Sequence, residues 1–202
     1  QALNFFSMDA VAESGPELPW KIVPLYGGAI VCETPGSYQD TSQFRDVPDH
    51  QEVWVDSGSS DRSFIVEILE RKDMADDAVL DFLLADLASA NDARDAIVLK
   101  SRQALVEEEL PNLPPTLSCF VGLGEQMVAK FSEGSNNRVQ VHICVLRLVE
   151  KNTDIVLTLN DPVAIDPQSS SAGTQVQEGA EATFAQILRS FRIVNWHLFD
   201  EE

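Results

Sequence analysis

Glu67 and Glu70 stand inside and at the end of an apolar run, Ser63 to Glu70, SFIVEILE. Its β-branched and aromatic residues suit a strand, and an ionised carboxylate buried without a partner costs several kcal/mol, roughly. Glu67 must therefore reach water, meet a cation, or belong to an open face of the sheet. Just upstream, VPDHQEVWVD at 47 to 56 places Asp49, His50, Glu52 and Asp56 around the start and end of a second β run. Three chemistries could use these groups. Metal ligation needs oxygen and imidazole donors at a recognisable spacing, and this spacing matches no known site, so these read as solvated turn residues. General acid and base catalysis needs a nucleophile or substrate pocket beside the paired carboxylates, and neither is visible. A charged surface for a partner needs only that the acids face outward. Positions i and i+3 of a regular strand point to opposite faces, so Glu67 and Glu70 share a surface only where a bulge, a strong twist or a strand end intervenes. The pattern alone leaves a solvated strand end and a docking surface both open.

Other catalytic constellations are thin. Gly122-Leu123-Gly124 lies within a strand pattern and lacks the third glycine and the strand-to-helix context of a dinucleotide loop. There is no Walker lysine loop, HExxH or GxSxG. His142 and His197 sit singly among apolar neighbours and read as structural histidines. Cys32, Cys119 and Cys144 are odd in number, far apart and without a CxxC, so they read as reduced, buried thiols, with no zinc site or disulfide framework. No metal and no cofactor is expected.

With 14 basic and 33 acidic residues the 202-residue chain carries a net charge of −19. From Asp46 to Asp95 there are fourteen acids against four bases, Arg62, Arg71, Lys72 and Arg94. Such a surface repels phosphate backbones and anionic lipid, which argues against nucleic acid as a partner, and it favours a basic protein surface. No run approaches the roughly 18 to 20 apolar residues of a membrane span, and the first residues lack the basic and apolar segments of a signal peptide. The expectation is one soluble, intracellular, monomeric domain without membrane insertion.

The elements that must position the acids follow from periodicity. Residues 1 to 24, with Gly15, Pro16, Pro19 and Pro24, read as a flexible leader, with Met8 as the natural start and residues 1 to 7 as an addition. The domain, residues 25 to 202, opens on LYGGAIVCETP, where Gly27 and Gly28 permit a tight turn and Ala29 to Cys32 form a short strand. Asp40 to Arg45 suit one helical turn. Val53 to Val55 and Phe64 to Leu69, around SGSSD at 57 to 61, read as a hairpin. Val79, Leu80, Leu83, Leu84 and Leu87 share one face of a helix, with Asp73, Asp76 and Asp77 at the end the macrodipole favours. Ala96 to Ser101 lean to strand. After PNLPP at 111 to 115 come three β runs, Thr116 to Ala129, Arg138 to Val149 and Asp154 to Leu159, linked by SEGSNN and EKNT. In the middle run Val139, Val141, Ile143 and Val145 alternate with His142, Cys144, Leu146 and Leu148, so both faces are apolar and helices should cover both sides. Residues 160 to 179 read as a polar loop, Phe184, Ile187, Leu188 and Phe191 as a helix, and 193 to 199 as an extended aromatic tail.

LYGGAI at 25 to 30, VPDHQEVWV at 47 to 55 and SFIVEILE at 63 to 70, in this order and spacing, resemble the Ran guanine nucleotide release factors, the Mog family of nuclear import factors. A weaker likeness runs through LRLVEKNTDIVLTLNDP at 146 to 162 to about Phe199. The resemblance implies an α+β fold with a six-stranded antiparallel sheet flanked by helices, similar to PsbP-like proteins. It also implies binding to the GTPase Ran, nucleotide-free or GTP-bound, and release of its nucleotide without bond chemistry, in the nucleus and the cytoplasm. By motif position the family's acidic pair falls on Glu67 and Glu70, and Asp49 and Glu52 occupy the acids of PDxQE. A module for another GTPase or transport factor, or a ligand-binding or enzymatic domain on the same sheet, are the alternative readings.

Overall fold

A computed structural model describes residues 19 to 58, 60 to 129 and 137 to 200. The leader up to residue 18, including residues 1 to 7 and Met8, and most of the SEGSNN connection lie outside the described residues. The hairpin that carries the acids consists of β4 (Gln51–Asp56) and β5 (Ser63–Glu70). It belongs to a seven-stranded antiparallel sheet with β3 (Tyr38–Asp40), β6 (Arg94–Gln103), β7 (Ser118–Val128), β8 (Asn137–Leu148) and β9 (Thr153–Ala164), in the order β3-β4-β5-β9-β8-β7-β6. A second sheet of three strands joins β1 (Trp20–Leu25), β2 (Ile30–Pro35) and β10 (Arg192–Ile193).

The two-faced pattern of β8 places the helices. Val141, Ile143 and Val145 pack with Val79, Leu80, Leu83 and Leu84 of α1 (Val79–Ala90). Cys144, Leu146 and Leu148 pack on the other side with Phe184, Ile187 and Leu188 of α3 (Ala180–Ser190) and with the small sheet. A four-residue helix, α2 (Val106–Glu109), precedes the PNLPP segment. The glycines of GLG serve α1. A Cβ on Gly124 would stand 2.8 Å from Leu84 Cδ2, and one on Gly122 would stand 3.1 Å from Leu80 Cδ1, so α1 packs tightly over both glycines and a side chain at either would push those leucines aside.

Several expectations are corrected. The main sheet has seven strands, not six, because Tyr38–Asp40 pairs with Asp56–Trp54, and a strand of three residues shows no periodicity. Residues 20 to 24, assigned to the leader, are strand. Val23 and Leu25 are buried, and Pro24 is tolerated because β1 is an edge, where a missing N–H breaks no ladder. β9 runs on to Ala164, so the polar loop begins later than residue 160. Its Pro162 lies beyond the last β5 partner, Asn160, where no described strand pairs with the outer edge of β9. Residues 196 to 199 form a 3-10 turn rather than an extended tail, capped by the Asn195 side chain, which accepts from the His197 N–H at 3.1 Å.

Candidate functional site

Antiparallel pairing brings the start of β4 beside the end of β5. Gln51 pairs with Glu67 and Glu52 with Val66, and the Ile68 N–H donates to the His50 carbonyl at 2.9 Å. Asp49, Glu52, Glu67 and Glu70 therefore gather at one end of the hairpin, while Asp56 lies at the other. Burial would raise the Asp56 carboxyl, but hydrogen bonds from Ser60, Ser37 and Gly58 outweigh it and hold it below its ordinary range.

The four site acids differ in exposure. Asp49 and Glu70 are exposed, and Glu52 and Glu67 are half-buried. Pairing of β5 with β9 is regular from Ser63 to Glu70, with no bulge, so Glu67 and Glu70 leave opposite faces of the strand. Glu67 faces the α1 side, since its neighbour Val156 packs in the α1 cluster, and it accepts from Gln51 Nε2 at 2.7 Å. Glu70 shares the parity of Phe64 and Val66, but the strand ends there and the carboxylate stands in solvent. Among the described residues neither Glu67 nor Glu70 forms an ion pair with a lysine or arginine.

Glu52 is held from an unexpected direction. Its Oε1 accepts from the Tyr26 N–H at 2.5 Å, and the Tyr26 hydroxyl is within hydrogen-bond reach of the His50 carbonyl, 3.0 Å, and the Val66 carbonyl, 2.9 Å. Tyr26, Gly27 and Gly28 all have positive φ, 49°, 63° and 90°. For tyrosine that backbone costs of order 1–3 kcal/mol, and it persists only where its surroundings over-determine it. Burial raises the Glu52 carboxyl and the Tyr26 N–H partly offsets this; burial, Glu52 and Glu67 together push the Tyr26 phenol upward. The glycine pair signals the turn, but nothing local shows that Tyr26 reaches across 24 to 40 residues to the hairpin. Gln51 was likewise missed as the partner of Glu67.

The strand end is fixed from below by buried charge. Arg147, with no side-chain exposure, donates to Asp154 Oδ1 at 3.2 Å, Asp76 Oδ1 at 2.6 Å, the Met74 carbonyl at 3.1 Å and the Lys72 carbonyl at 2.5 Å. It thus ties the segment after Glu70 to the β8–β9 hairpin, and the Arg71 N–H donates to the Asn152 carbonyl at 2.8 Å beside it. His142 is buried against the Phe184 ring, 6.0 Å between centroids, with no hydrogen-bond partner for Nε2 among the described residues. His197 is exposed instead, its Nδ1 2.7 Å from Asp200 Oδ2. All three cysteines are buried free thiols, and burial first, then a nearby carboxylate, pushes those of Cys32 and Cys119 up to about 12. Among the described residues no group of three His, Cys, Asp or Glu side chains could hold a metal, and no helix is long and apolar enough to cross a membrane.

An antiparallel sheet with a helix on each face, and four acids gathered at a hairpin end, defines the class: an α+β protein. The profile of the Ran-interacting Mog1 protein family matches residues 23 to 162, and the chain belongs to that family. The Ran guanine nucleotide release factor of Danio rerio is 36% identical over 183 residues, 87% of this chain and 98% of that protein. The Saccharomyces cerevisiae nuclear import protein MOG1 is 27% identical over 194 residues, 89% of this chain and 84% of that protein. The crystal structure of the S. cerevisiae Ran-binding protein Mog1p matches with a TM-score of 0.67 at 26% identity, covering 91% of this chain and all of that one. Cyanobacterial PsbP from Synechocystis matches with a TM-score of 0.54 at 11% identity, over 92% of this chain and 98% of that one, a likeness of fold alone.

Proposed function

We propose that this protein binds the small GTPase Ran through the acidic end of the β4–β5 hairpin, promotes release of its guanine nucleotide and so supports nuclear import, acting in nucleus and cytoplasm as a monomer. The observation that carries the reading is that Glu67 and Glu70, with Asp49 and Glu52 beside them, are assembled at one strand end and form no ion pair with a lysine or arginine among the described residues. Opposite-facing carboxylates at a strand terminus suit a partner that straddles the edge, because only there are both faces open at once. Glu67 is oriented by Gln51 and Glu52 by Tyr26, so the acids are partly preorganised for basic residues of the GTPase.

Release needs no bond chemistry. A protein that prefers the nucleotide-free GTPase weakens nucleotide binding by the same factor, and a preference of about 3 kcal/mol corresponds to roughly 150-fold. The test is release of labelled GDP and GTP from Ran by a stoichiometric amount of the protein. Accelerated release from one or both supports the reading; release at the intrinsic rate contradicts it. Stronger capture of a different nucleotide-free GTPase in a parallel pulldown would transfer the activity to that partner.

A further inference from the structure

The acids are not alone at their end of the sheet. β5 ends at Glu70, opposite Thr153 at the start of β9; Thr153 lies opposite Leu148 at the end of β8, and Arg147 opposite Ser118 at the start of β7. The end of β8 is thus two strands from Glu70, roughly 10 Å across the sheet. The 3-10 turn Val149–Lys151 and Asn152 connect β8 to β9, and Asn152 Nδ2 reaches Glu70 Oε1 at 3.5 Å. Across this turn from Glu70, Leu117, Val149, Lys151 and Trp196 help line a groove of about 380 Å³. Val149 and Trp196 are 60% and 37% exposed, so its walls hold apolar surface open to solvent.

That volume is at the small end of ligand sites, roughly 300–1,000 Å³, and such sites enclose most of their ligand. With two apolar walls exposed, this groove suits a side chain presented by a protein surface. Charge does not select the occupant. Lys151 is paired with Asp200 at 2.5 Å, the buried Arg147 is held by Asp154 and Asp76, and Glu150 is exposed. Around them Arg71 and Lys72 follow Glu70, and His197, beside Trp196, lies 2.7 Å from Asp200. Position selects it instead. A stable interface covers about 800 Å² of each partner, roughly 20–30 residues, of which four acids at a strand end are a small part. A GTPase seated on Glu70 must cover adjoining surface, and most of the affinity of an interface comes from a few well-packed residues, tryptophan prominent among them, in pockets that lose their water. Phe44, 67% exposed, flanks the acids on the β4 side, but among the described residues no hydrogen bond ties it to them, whereas Asn152 links Glu70 to the wall of the groove. We infer that this groove is the apolar half of the surface that the acids begin, and that the GTPase bound at Glu67 and Glu70 fills it with a large apolar side chain of its own. The inference rests on the proposed binding of Ran.

The experiment follows the indole N–H signals of the isotope-labelled full chain by NMR as nucleotide-free Ran is added, and needs no substitution. Trp196 should shift and lose exchange with water, while Trp20, also 37% exposed but at the end of β1 away from Tyr26, should do neither. Val149→Ser with Trp196→Ala should weaken Ran binding by about tenfold or more, through faster dissociation, in a chain that stays folded by circular dichroism. Glu67→Lys with Glu70→Lys separates the two claims. If it weakens binding while the groove variant does not, or if Trp196 does not respond, the groove inference is overturned and the acidic site stands. A larger loss from Phe44→Ala than from the groove variant would also overturn it, by placing the anchor on the other flank. If the wild type does not bind Ran, or binds it unaffected by the charge reversal, the reading of the acids falls and takes the inference with it.

Discussion

Carboxylates are treated in opposite ways at two places only a few residues apart. Below the end of β5, the buried Arg147 meets the buried Asp154 and the partly exposed Asp76, so each of the two buried charges has a partner. At the end of β5 itself, Glu67 has only the neutral amide of Gln51 and Glu70 meets no cation within the described residues. Among the described residues an arginine meets the buried carboxylate of Asp154, and none meets the half-buried Glu67 or the exposed Glu70. Burial explains the first group by itself, since an unpaired buried charge would destabilise the fold. Stability does not explain the second, which is why it reads as a surface for a cation brought by something else.

Substitutions can break that contrast from the buried side first. Arg147→Leu leaves Asp154 buried and unpaired and should cost roughly 3–5 kcal/mol in urea denaturation. An effect under 1 kcal/mol would show that the buried group is not held by its arginine. His142 extends the contrast to a buried base. Burial first, then Arg62 and Lys100, lowers it from 6.5 to about 4, so it stays neutral in the fold while the unfolded chain takes up a proton. That contribution is fully present above pH 6.5 and is lost as the pH falls towards 4, about 3 kcal/mol in all. His142→Leu should flatten the pH dependence of stability across this window by a comparable amount. Tyr26→Phe removes the hydroxyl that reaches the His50 and Val66 carbonyls and should cost about 1 kcal/mol. It should also weaken Ran binding by more than this small loss of folded protein explains, because the turn that orients Glu52 loosens. Equal affinity at unchanged stability would remove Tyr26 from the site.

Much of the frame was legible because it is written locally. The alternation through Val141 to Leu148 predicted a strand with two covered faces, and α1 and α3 occupy them. The hairpin followed from two β runs and a polar turn, while Asp49 and Glu52 were grouped with Glu67 and Glu70 only through the family resemblance. What escaped is non-local or too short to carry a period: the three residues of β3, the proline-bearing β1, and β9 from Asn160 to Ala164. Arg147 was a readable signal that went unread. It is a lone charge in an apolar run, as Glu67 is, and the tight β8–β9 connection sets it directly opposite Asp154. Asp76, from 71 residues away, could not be foreseen. The opposed faces of Glu67 and Glu70 were stated as a condition of strand geometry, and the unbroken β5–β9 register decides it.

The most direct measurement compares the wild type with Glu67→Lys, Glu70→Lys in affinity for nucleotide-free Ran and in thermal unfolding. Neither side chain meets a lysine or arginine among the described residues, so stability should change by less than about 1 kcal/mol, while affinity should fall by two orders of magnitude or more, as for charge pairs buried at an interface. Unchanged affinity for Ran in a variant that remains folded would contradict the account.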